Sequence, residues 1–91
     1  MTHQQITELR QKTGLGLAEF GQLFGVVPST ILSWEKGTGT PSNFVLAAMV
    51  QLQRQIEGKE REELKNTLKN FLIAGGILAF LMWLFNKTEK P

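Results

Sequence analysis

Residues 15–37, LGLAEFGQLFGVVPSTILSWEKG, decide the fold. Leu17, Phe20, Leu23 and Phe24 recur at the spacing that puts apolar side chains on one face of a helix. The pattern stops at Gly25, a residue suited to the left-handed cap on which helices commonly end. Val26 and Val27 come next, and Pro28 opens a second short pattern, Ile31-Leu32-Trp34. Proline fits a first helical turn, where its missing N–H would have had no partner. Gly37 ends this second helix. Phe20, Leu23, Val26, Ile31 and Trp34 read as core.

Two helices of about two turns, joined tightly across a buried valine, make a helix-turn-helix. The stretch resembles the Cro/Xre family of phage and bacterial repressors. The residues that carry the likeness are Leu15, Glu19-Phe20, Leu23, Gly25-Val26, Ser29-Thr30-Ile31, Trp34-Glu35, Gly37 and Pro41-Ser42. It extends over residues 6–56. The resemblance implies an all-α, lambda-repressor-like domain of four to five helices, here continued by a charged helix that runs into a C-terminal hydrophobic helix.

Around that core, residues 2–12 read as a first helix, with Ile6 and Leu9 inward and Thr13-Gly14 at its end. The loop GTGTP at 37–41 is rich in helix breakers. Ser42 then caps a helix from about Asn43, whose apolar face is Val45, Leu46, Met49, Val50, Leu52 and Ile56. The expected domain is 1–57. Residues 58–70 read as a charged helix or linker, with Lys59–Glu63 and Glu62–Lys65 at helix-neighbour spacings. Its stripe of Leu64, Leu68 and Phe71 offers a seat for a dimer partner if the helix is not simply a solvated spacer.

Residues 71–85, FLIAGGILAFLMWLF, contain no charge. As one helix they would be about 22 Å long, against a hydrocarbon core of roughly 30 Å. The run is apolar on all sides, so residues 71–86 are expected to form a short membrane span, with thinning of the bilayer and flanking lysines making up the length. An oligomerisation helix or an interfacial segment is the other reading. Trp83 and Phe85 suit the interface, and 87–91 form a short polar tail. Arg54, Lys59, Arg61, Lys65 and Lys69 precede the run and only Lys87 and Lys90 come after it, so if the run spans, the N-terminal domain is expected on the cytoplasmic side, anchored to the inner membrane. Gly75, Gly76 and Ala79 give the small-residue spacing that lets two such helices pack as a homodimer.

Composition excludes several chemistries. The chain has no cysteine, no aspartate, no tyrosine and a single histidine, His3, which reads as a tail residue. Metal clusters and nucleophile–base pairs lack their parts, so no catalytic residue, metal or cofactor is assigned and no enzyme is expected. The net charge of +2 is unevenly placed. Residues 1–58 carry four basic groups against four acidic ones, and residues 59–91 carry six against four.

In Cro/Xre repressors the third helix lies in the major groove of double-stranded DNA. Carried over by position, that implies Ser29, Thr30, Leu32, Ser33 and Lys36 as DNA contacts, with Arg10 and Lys12 available to phosphate. Departures from the family are evident. Pro28 stands where a polar residue is usual, Gly16 and Leu17 replace a hydroxyl cap and a phosphate contact, and Thr38-Gly39-Thr40 replaces a basic loop. Two readings therefore stand. One is a membrane-tethered DNA-binding transcriptional regulator. The other is a membrane-anchored interaction module of RodZ-like layout, whose third-helix face meets a protein partner.

Overall fold

The computed structural model describes residues 1–86, and the polar tail expected at 87–91 lies outside them. Local chemistry sets each helix end. Thr2 opens α1 (His3–Thr13) with a reciprocal cap: its Oγ1 accepts from the Gln5 amide at 3.1 Å, and Gln5 Oε1 accepts from the Thr2 amide at 2.8 Å. α2 (Leu17–Phe24) stops at Gly25, and α3 (Pro28–Lys36) starts on the proline and stops at Gly37. Ser42 Oγ accepts from the Val45 amide at 3.3 Å and so begins α4 (Asn43–Ile56). α5 is Arg61–Ala74 and α6 is Gly76–Asn86. The described residues are all helical and turn, without strand.

The apolar run is not one helix. It breaks at Gly75–Gly76, where Gly76 takes φ of 63°, a left-handed conformation costly to any residue with a Cβ. A Cβ placed on Gly75 would fall on the Ala79 methyl. The small residues expected to pack two spans together instead let one chain turn back on itself. Where a span was expected over 71–86, the run forms parts of two shorter helices, and no described helix is long and apolar enough to cross a membrane.

Beyond the break, one face of the chain is buried in the domain. α6 packs against α2, α4 and α5. Phe80 and Leu84 are fully buried, in the same hydrophobic cluster as Phe20, Leu23, Ile31, Met49 and Leu52. Phe80 meets Phe24 edge to face at 5.7 Å between ring centres and stacks near Trp83 at 6.3 Å. Gln55 Nε2 of α4 donates to the Leu84 carbonyl at 3.3 Å. Phe80 and Leu84 thus find nonpolar surroundings inside the protein, at a gain of roughly 2 kcal/mol each, while Ile73, Leu78 and Met82 stay exposed.

The charged segment is likewise part of the fold. Leu64 and Leu68 are buried against α1 and α2, so the stripe that offered a dimer seat is filled intramolecularly. Among the described residues neither Lys59–Glu63 nor Glu62–Lys65 forms an ion pair. Instead Lys69 Nζ reaches Glu19 Oε2 of α2 at 3.4 Å. His3 is the first residue of α1 rather than part of a tail, and its Nδ1 lies 3.2 Å from the Glu35 carbonyl of α3.

Candidate nucleic-acid interface

α3 is seated by its inward face. Ile31 is fully buried and Trp34 nearly so. The turn that brings α2 to α3 depends on a close backbone approach, since the Val26 amide donates to the Gly21 carbonyl at 2.9 Å. A Cβ at position 21 would lie 2.6 Å from the Val26 oxygen, so only glycine fits there. Thr30 N donates to the Val27 carbonyl at 3.0 Å and completes the first turn of α3.

The second anchor is an ion pair. Arg10 Nε donates to Glu35 Oε2 at 2.6 Å and Arg10 Nη2 to Oε1 at 3.1 Å, a two-pronged bond between α1 and α3. Its third donor, Nη1, reaches the Leu15 carbonyl at 3.3 Å. The bond to Glu35 and the charge of that carboxylate raise the guanidinium above its ordinary value, against the opposing effect of burial. A folded-state value raised in this way leaves the contribution of Arg10 intact at neutral and mildly alkaline pH, to be lost only in strong alkali. Arg10, expected at phosphate, is committed to holding α3 in place.

The outward face of α3 then presents one stripe. Ser29, Leu32 and Lys36 are exposed, Ser33 lies between them half-buried, and Thr30 is half-buried to one side. These five residues are neighbours because they are spaced by three or four positions on one helix. Ser33 is also tied down. Its Oγ shares a 3.1 Å hydrogen bond with Thr38 Oγ1, and its carbonyl accepts the Thr38 and Gly39 amides at 3.0 and 3.3 Å. The GTGTP loop thus folds back onto α3 in place of offering a cation. The stripe is nearly neutral, with Lys36 its single positive charge. At its leading edge Val27 is 60% exposed, and Leu32 within it is 38% exposed.

Lys12 is elsewhere. It lines a cavity of about 820 Å³ between α1, α4 and the start of α5, together with Arg54, Lys59 and Arg61. Sequence reasoning missed this grouping, because its members are scattered from position 12 to position 61 without a common spacing. Gly75, Gly76 and Ala79 sit at the α5–α6 turn, apart from α3 in sequence and role. Among the described residues no group of acidic and histidine side chains is arranged to hold a metal.

No family model, curated protein or solved structure gives a significant match to this chain.

Proposed function

We propose that the chain is a DNA-binding regulator of Cro/Xre type that lays the outward stripe of α3 into the major groove. The observation that carries this reading is a polar-tipped stripe, Ser29-Leu32-Ser33-Lys36, on a helix that Arg10–Glu35 and the Ile31–Trp34 face hold rigidly. Hydroxyls of Ser29, Thr30 and Ser33 bond to phosphate or base edges, Leu32 meets a thymine methyl, and Lys36 neutralises a phosphate. With so few cations a single copy binds weakly, and two copies on a palindrome supply the rest. A chain that meets DNA works where DNA is, and this reading does not require a span.

The test is fluorescence anisotropy of a labelled duplex titrated with the full chain at about 50 and 200 mM salt. The complex is expected to weaken with salt, and Lys36→Ala to reduce the slope of log affinity against log salt by about 1. No complex at the lower salt overturns the reading.

The exposure of Val27 and Leu32 favours a second reading, in which the same stripe docks a protein partner, as in the RodZ-like alternative. Leu32→Lys separates the two. Added positive charge strengthens a DNA complex and breaks an apolar protein contact.

A further inference from the structure

We propose that the cavity between α1, α4 and the start of α5 binds a small phosphorylated organic ligand, separately from the α3 face. Four cations converge on it: Lys12 near the end of α1, Arg54 near the end of α4, Lys59 in the turn after it, and Arg61 at the first position of α5. None of the four pairs with a carboxylate among the described residues, although Arg10 and Lys69 both do. Glu8 and Glu57 also line the cavity, so four positive and two negative groups leave an excess of two positive charges. Like charges gathered at one concavity repel each other, and an anion relieves that repulsion.

Other features select the kind of anion. Arginine's planar fork matches two phosphate oxygens at once, and two arginines are present. A volume of about 820 Å³ is far more than a lone phosphate fills and falls within the usual range for organic ligands. The apolar wall of Leu9, Ile56 and Leu64 and the amides of Gln5 and Gln53 suit the organic body.

Isothermal titration of the full chain with ATP and with inorganic pyrophosphate, each at low and at physiological salt, tests this. ATP is expected to bind one to one, more tightly than pyrophosphate and more weakly as salt rises. The double substitution Arg54→Ala with Lys59→Ala is expected to lower that affinity by about tenfold or more, because two charge-assisted contacts go. Both residues are exposed, so the thermal melt should be unchanged, and Lys36→Ala should leave ATP binding as it was. Absence of binding by either probe at low salt overturns the proposal, as does binding that survives the double substitution. If neither probe binds but the double variant loses duplex DNA, the four cations belong to a DNA surface and the cavity site is refuted.

Discussion

The α2–α3 and α5–α6 pairs both turn on glycine, and they differ in what they leave outside. The α2–α3 pair turns at Gly25, buries Phe20, Leu23, Ile31 and Trp34, and shows solvent the polar-tipped stripe of α3. The α5–α6 pair turns at Gly75–Gly76 and buries Leu64, Leu68, Phe80 and Leu84 in the same core. Its outer side stays apolar, with Ile73 84% and Leu78 74% exposed. Amphipathic pattern thus determines the face turned outward in the first pair. In the second pair the residues of α6 are apolar all round, and packing against α2 and α4 chooses which of them are covered.

The sharpest way to break this comparison is to remove a core residue from the second pair. Phe80→Ala deletes a fully buried ring that touches Phe24, Phe71 and Trp83, and should cost about 4 kcal/mol in urea unfolding. That is a large part of the roughly 5–10 kcal/mol that holds a domain of this size together. An unchanged midpoint would mean that α6 is an appendage and the two pairs are not one unit.

Next in size is the lock on the first pair. Glu35→Ala leaves Arg10 without its partner and should cost about 2 kcal/mol. This is below the range for fully buried pairs, because 20% of the Arg10 side chain remains in solvent. Stability should fall together with DNA affinity, since α3 loses its bond to α1. A loss of stability with DNA binding intact at low temperature would place the contact surface away from α3.

A smaller effect is expected at the second turn. Gly76→Ala has open space for its methyl, so its cost is the left-handed backbone alone, about 1 kcal/mol. The same substitution favours a straight helix through the break. If it stabilises the chain or drives it into detergent micelles, the continuous apolar helix is the true state. The smallest effect on folding belongs to Lys36→Ala, which should leave the melt within about 0.5 kcal/mol while weakening DNA binding.

The helix ends were legible because single residues fix them: Thr2 with Gln5, Gly25, Pro28, Gly37 and Ser42 act locally. The fate of residues 71–85 was not. Their length falls just short of a span, and hydropathy does not distinguish lipid from the protein's own core as the place of burial. The two glycines that decide it also fit a membrane packing motif. The candidate stripe came from the Cro/Xre resemblance carried over by position, and helical spacing then puts Ser29, Leu32 and Lys36 on one face. The Arg10–Glu35 bond was not, because it joins two helices across 25 positions of chain. The convergence of Lys12 on Arg54, Lys59 and Arg61 was hidden for the same reason.

The most direct test of the central claim is to record amide NMR spectra of the full chain as duplex DNA is added. Shifts should concentrate on Ser29–Lys36 and the Gly37–Thr40 loop and leave α5 and α6 nearly unmoved. Shifts centred on the α5–α6 pair or on the Lys12–Arg54 cavity, or none at low salt, would contradict the assignment of α3 as the DNA-reading helix.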